Sequence, residues 1–267
     1  MTNYLTRIVL LLSFLSSTVL GEDLNVLTEK QREQSNYYKH LQAQAYELLN
    51  TRQGTLATLT TPKAIKEYQE GLRSKFVEAL GGFPKRTDLN AKIVKRTELK
   101  EYTIENIIFE SQPNHHVTGN LYLPHGDGPF SVVVVSSGHS RTAKLADYNQ
   151  RFGMRMATLG IASFVCDPIG QGERSQVITP EVTPLHSGTT TEHFLMGVSS
   201  ILVGRNTATY MIWDAMRAID YVCTRDDIDS SRIGYTGCSG GGTLTSYVMS
   251  LDPRVTSAAP ACYLTTF

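Results

Sequence analysis

Neither sign of charge is in excess in this chain: 25 Lys and Arg stand against 25 Asp and Glu over 267 residues, scattered without runs. With no basic surplus, nothing recruits nucleic acid or draws the chain to an anionic surface. Cysteine is scarce, with four residues at Cys166, Cys223, Cys238 and Cys262, and no spacing among them resembles a zinc site. In an exported chain they allow three complete pairings, yet Cys166 lies in an apolar run and Cys238 beside a serine, where free thiols compete with bridges. Long apolar stretches are missing too. The run from Ile8 to Leu15 is too short to span a bilayer, so no stable membrane insertion is expected. Internal repeats and low-complexity tracts are absent.

What is present begins with a leader. Arg7 precedes the apolar run, and Ser16, Ser17, Thr18 and Gly21 lead to Glu22-Asp23. This pattern reads as a secretory signal peptide over residues 1–21, cleaved after Gly21, and predicts a secreted or periplasmic protein. An uncleaved anchor is the alternative. From Leu27 to Leu49 a Gln-rich helix is expected, with Tyr37, Leu41, Ala45, Leu48 and Leu49 as a packing stripe. A second helix starts at Pro62, after Thr60-Thr61, and ends at Gly81-Gly82. Residues 22–100 thus form an N-terminal helical extension.

From Tyr102 the period changes to that of strands, which opens a domain over residues 101–267. Thr103 to Ser111 and Val117 to Leu123 flank a polar turn and read as an antiparallel hairpin. Phe130 to Ser136 (FSVVVVS) is a continuous β-branched run, as expected of a strand buried on both faces. A helix over Ala146 to Leu159 leads to a second buried strand, Ile161 to Cys166. Strands alternating with helices predict an α/β class with a mostly parallel sheet. Residues 175–200 read as an irregular lid or binding loop. A long helix follows over Asn206 to Cys223, and Val255 to Leu264 reads as the last buried strand.

The chemistry gathers at Arg232 to Ser246 (RIGYTGCSGGGTLTS). A short strand runs into Gly237-Cys238-Ser239-Gly240-Gly241, and Leu244, Tyr247, Val248 and Leu251 follow at helical spacing. That is the pattern of a nucleophile elbow, in which a serine is exposed on a sharp strand-to-helix turn and its neighbours must be small. In such a sheet ligands bind beyond the carboxyl ends of the strands, where His139, Asp167, Ser239 and Cys262 arrive. An oxyanion at Ser239 needs two N–H donors: Gly240 supplies one, and His139, or next Ser140, the other. Asp167, Glu173, Arg174 and Arg205 read as scaffolding. His186 and His193 read as exposed, and Trp213 with the tyrosines of its helix reads as core.

Activation of a serine requires a histidine and a carboxylate, in this class found after the serine in the order Asp or Glu, then His. The 28 residues after Ser239 contain no His, no Glu and one Asp, Asp252, placed in a turn at the wrong end of the sheet.

SGHS around Gly138, DPIGQGER from Asp167, WDAMRAIDYV from Trp213, GCSGGGT around Ser239 and LDPRVTSAAPACYLT from Leu251 together resemble secreted bacterial α/β-hydrolases of the acetyl xylan esterase type, a group of carbohydrate esterases. ALGGFP and VTGNLYLP resemble their N-terminal extension and first hairpin. The resemblance implies an α/β-hydrolase fold whose C-terminal part is missing, a catalytic Ser239, an oxyanion contribution from Gly240, no cofactor and no metal. The implied partner is an ester substrate, an acetylated carbohydrate, with the oligomeric state left open. Since the Asp and His of such relatives lie after later strands, it also implies a fragment, inactive alone, of a longer esterase. A prolyl-oligopeptidase-like peptidase and a non-catalytic carbohydrate-binding remnant are the competing readings.

Overall fold

The computed structural model describes residues 25–181, 183–186 and 188–264. The expected leader lies outside them. Two compact units divide the chain, one up to Lys66 and one from Glu67 onward.

The first unit is helical. Helix α1 (Glu29–Gln34) opens on a capping box in which Thr28 and Gln31 satisfy each other's backbone N–H groups, and α2 (Tyr37–Ala57) opens on Asn36, whose side chain accepts from the Lys39 amide. The single helix expected over Leu27 to Leu49 is therefore two. Asn36 takes an extended backbone to cap the second, and a helix cannot continue through it. No residue of α2 is buried, so the stripe of Tyr37, Leu41 and Leu48 is not the packing face the spacing predicts. Helix α3 (Pro62–Ala79) begins here, with the Thr61 hydroxyl accepting from the Ala64 amide at 3.2 Å.

The second unit is built on seven strands: β1 (Lys92–Glu98), β2 (Tyr102–Gln112), β3 (His115–Pro124), β4 (Phe130–Ser136), β5 (Ala162–Cys166), β6 (Ile228–Cys238) and β7 (Val255–Ala261). Their order is β1-β2-β3-β5-β4-β6-β7. The first three are antiparallel, β5 runs antiparallel to β3, and β5, β4, β6 and β7 run parallel to one another. The predicted hairpin is present, with a tighter turn than the sequence marks because Asn114 accepts a left-handed backbone (φ 62°).

Helices α4 (Asp147–Thr158), α5 (Thr189–Leu202), α6 (Thr207–Cys223) and α7 (Gly240–Leu251) complete the unit. One face of the sheet packs Phe109, Leu121, Val134, Phe164 and Tyr235 with Ile212, Ile219 and Val222 of α6 and Leu244 and Val248 of α7. Phe109, Phe164 and Tyr221 form a ring cluster with centroids 5.3–6.3 Å apart. On the other face, Tyr122, Val135 and Val165 pack with Ala157 and partly buried Phe152 and Met154 of α4. Each fully buried Ile, Leu or Phe here contributes about 1.5–3 kcal/mol.

Three expectations are corrected. Strand β1 is absent from the sequence reading because it is an outer strand with almost every residue exposed, so no buried face writes an alternation into KIVKRTE. The stretch 175–200 is not wholly irregular: α5 occupies its second half, hidden in the sequence by three threonines at its start and by Gly197. Val255 to Leu264 is not a buried strand. It ends as β7 at Ala261 and is mostly exposed, since it too is an outer strand of the sheet.

Candidate active site

Strand β6 ends at Cys238, and the chain turns at Ser239 with φ 56° and ψ −117° before α7 begins at Gly240. A residue with a Cβ adopts such a backbone at a cost of about 1–3 kcal/mol, so the surroundings must impose it. Two hydrogen bonds do so directly. The Ser239 amide donates to the Ala261 carbonyl at 3.0 Å, and the Ser239 carbonyl accepts from the Thr243 amide at 2.9 Å. Close backbone approach does the rest: a Cβ at Gly237 would stand 2.5 Å from the carbonyl oxygens of both Gly241 and Ser136. Gly241 is pressed against the Ser136 carbonyl and Gly242 against that of Ala261 in the same way. Ser239 is exposed at the summit of this packing.

The segment after β4 lies against the elbow. Gly138 faces the Cys238 carbonyl, and a Cβ on it would come within 3.6 Å of Ser239 Cβ. The His139 ring covers Gly240, where an added Cβ would meet Cε1 at 2.7 Å. Among the described residues, neither the His139 nor the Gly240 backbone N–H donates to a protein acceptor. The ring of His139 lies 5.4 Å, centroid to centroid, from that of His193, which itself bonds the Ile169 carbonyl at 2.9 Å. Burial, and then the nearby His193, lower the His139 pKa from its ordinary value, so the imidazole is neutral at pH 7.

Residues that the sequence does not single out hold this segment. Buried Gln171 accepts from the Ser140 amide at 3.1 Å and donates to the Gly138 carbonyl at 3.3 Å. Asn149 of α4 donates to Ser137 Oγ at 2.8 Å and to the Ala143 carbonyl at 2.9 Å. Beneath them Lys144 Nζ is paired with both Asp167 and Glu173, while Asp167 also accepts from the Lys144 amide at 2.9 Å and from Thr118 Oγ1 at 2.7 Å. The one sequence signal for Gln171 is its setting between Gly170 and Gly172, both with positive φ, which turn it inward.

Asp167 and Glu173 thus serve the scaffold, as expected, and Arg174 does so more deeply. Its guanidinium reaches Asp214 at 2.7 Å, the His116 carbonyl at 2.9 Å and the Asp167 carbonyl at 3.0 Å. Burial would raise the Asp214 pKa, but Arg174, His115 and a 2.5 Å bond from Ser111 outweigh it and hold the carboxyl below its usual range. Arg205 bonds the Gly82 carbonyl. Trp213 is buried, its indole N–H on the Ser111 carbonyl at 2.8 Å. His193 and His186 are half-buried rather than exposed, because α5 carries the first against the Ile169 loop. Asp252 pairs with Arg254 at the far end of α7, about 20 Å from Ser239 by helix rise.

All four cysteines are free. Among the described residues no three His, Cys, Asp or Glu side chains group as metal ligands, and no helix is long and apolar enough to cross a membrane.

The comparisons agree on the kind of protein. A hydrolase of Bacillus subtilis strain 168, YtaP, is 23% identical over 201 residues, covering 71% of this chain and 62% of that one. An acetyl xylan esterase of Bacteroides fragilis NCTC 9343 superposes with a TM-score of 0.63 at 18% identity, over 75% of this chain and 54% of its own. The methylesterase BT1017 gives a TM-score of 0.63 at 24% identity, over 84% and 46%. These likenesses establish the α/β-hydrolase fold, and the chain spans roughly half the length of the two solved structures. The acetyl xylan esterase family model matches residues 59–267. With more than three quarters of its length so matched, the chain belongs to the acetyl xylan esterase family.

Proposed function

We propose that Ser239 is the nucleophile of a carboxylic ester hydrolase, and that its substrates are acetyl esters of xylan or other carbohydrates. The observation that carries this reading is the imposed backbone of Ser239. A strained, exposed serine between a strand end and a helix N-terminus is costly, and the close glycine packing around it holds it there. The hydroxyl attacks the ester carbonyl, the alcohol leaves, and water releases the acid from the acyl-enzyme. Negative charge on the carbonyl oxygen is met by the Gly240 and His139 amides, both without a protein acceptor among the described residues, at the positive end of α7. The acetylated carbohydrate rests on family membership. So does an extracellular or periplasmic location, together with the leader pattern.

In this reading the histidine and carboxylate that activate Ser239 are not among residues 240–267, which contain neither His nor Glu and whose one Asp, Asp252, pairs with Arg254 at the far end of α7. Neutral His139, whose ring covers Gly240, is an imidazole that the described contacts place beside the elbow. The test is a fluorophosphonate probe applied to the wild type and to Ser239→Ala. Labelling of the wild type that falls at least tenfold in the variant supports the assignment; equal labelling overturns it.

A further inference from the structure

A second reactive group adjoins Ser239. Cys238 is the last residue of β6, in register with Ala261 of β7, and Cys262 follows directly. With strands about 4.8 Å apart and a rise of about 3.3 Å, a residue one step past a register partner lies about 6 Å away, Cα to Cα. Disulfides span about 4.4–6.8 Å between Cα atoms.

Alternation along an extended strand would turn Cys262 to the opposite face from Ala261. Its left-handed backbone, φ 58°, ends the alternation, and its thiol is near enough to that of Cys238 to disfavour the Cys238 thiolate. The approach is fixed on both sides of Cys262. Ala261 accepts the Ser239 amide at 3.0 Å, and Tyr263 Cβ would stand 3.0 Å from a Cβ on Gly242. Both thiols are free and exposed, whereas Cys166 is buried and Cys223 half-buried.

We propose that Cys238 and Cys262 form a dithiol–disulfide pair, a site of reversible oxidation on the shoulder of the elbow, with a low-molecular-weight or protein disulfide as oxidant. One cysteine thiolate attacks a sulfur of the oxidant RSSR, forms a mixed disulfide and expels RS⁻. The second cysteine, as thiolate, attacks the protein-bound sulfur and expels the other RS⁻. Two protons pass from the cysteines to the two RS⁻, so two Cys–SH and one RSSR become one Cys–S–S–Cys and two RSH. The oxidant is reduced by two electrons and the cysteine pair is oxidised by two. Partial burial and then the neighbouring Cys262 raise the Cys238 pKa, so this thiol is protonated at neutral pH and exchange speeds up as pH rises. The bond ties the end of β6 to the segment after β7 across the contact that positions Ser239. Its formation does not depend on the role of Ser239.

The experiment incubates the full chain with oxidised and reduced glutathione in graded ratio, quenches with acid, and maps peptides under non-reducing conditions. The expected result is a loss of two of the four thiols and a single cross-linked peptide pair, 238 with 262, reversed by dithiothreitol. Cys238→Ser and Cys262→Ser each convert the outcome to a glutathione adduct on the remaining partner. The same cross-link in Ser239→Ala separates this proposal from the assignment of the nucleophile. Separate glutathione adducts on both residues of the wild type, a bridge to Cys223, or free thiols at ratios that modify the single variants would each overturn it.

Discussion

Gln171 Oε1 accepts the Ser140 amide at 3.1 Å, and the same carboxamide donates to the Gly138 carbonyl at 3.3 Å, so one buried side chain clamps both sides of His139. The proposed oxyanion donor is thereby held from the loop after β5 rather than from its own strand. Gln171→Leu leaves the buried Gly138 C=O unpaired, at about 1–3 kcal/mol, and the partly buried Ser140 N–H unpaired at less. The expected outcome is a lower Tm together with a loss of fluorophosphonate labelling larger than the fraction unfolded. Gln171→Glu keeps an acceptor for Ser140 and is expected to retain more labelling than the Leu variant. Equal labelling in wild type and Leu variant would remove Gln171 from the site.

The glycines of the elbow differ in what surrounds them, and this separates fold from site. At Gly237 an added Cβ meets two backbone oxygens at 2.5 Å, one on β4 and one in the first turn of α7, so relief would part β6 from β4 and shift the start of the helix. Gly237→Ala is expected to destabilise by more than about 3 kcal/mol, read by chemical denaturation. At Gly240 the three atoms nearest an added Cβ all belong to the His139 ring, an exposed side chain that can rotate away. Gly240→Ala is therefore expected to keep the fold, with a Tm within a few degrees of the wild type, while labelling of Ser239 changes.

Much of this was legible in the sequence because burial writes periodicity. FSVVVVS announces a strand covered on both faces, and GCSGGG between a strand and a helix announces the elbow. Strand β1 leaves no such trace, being exposed along nearly its whole length. The clamp by Gln171 and the pairing of Lys144 with Asp167 and Glu173 also left none, since residues 23 to 33 apart in sequence meet only through the βαβ crossover. For Cys238 and Cys262 the spacing is silent as well. Their proximity follows from the β6–β7 register and one left-handed residue.

Acid should release the Arg174–Asp214 pair. Because the folded pKa of Asp214 lies below its unfolded value, the stabilisation is present above the ordinary carboxylate range near pH 3.9 and is lost as pH falls through the folded value. Thermal melts are expected to show stability declining below about pH 4. Asp214→Asn removes that dependence at a cost: Arg174 is left buried with its charge unpaired, worth about 3–5 kcal/mol at pH 7. A variant as stable as the wild type at pH 7 would show that water reaches the guanidinium.

Turnover is the strictest test of what these 267 residues do by themselves. A serine without a base to take its proton is a weak nucleophile, and no His follows Ser239 in this sequence. Hydrolysis of p-nitrophenyl acetate is expected to be slow and little changed by Ser239→Ala, while the oxyanion amides still allow the slow labelling that a fluorophosphonate gives. Robust turnover that Ser239→Ala abolishes would place the base upstream. His139→Ala would then discriminate: its backbone amide survives the substitution, so loss of turnover in that variant would assign the base to the His139 imidazole, and retained turnover would leave the ring as packing for Gly240 alone.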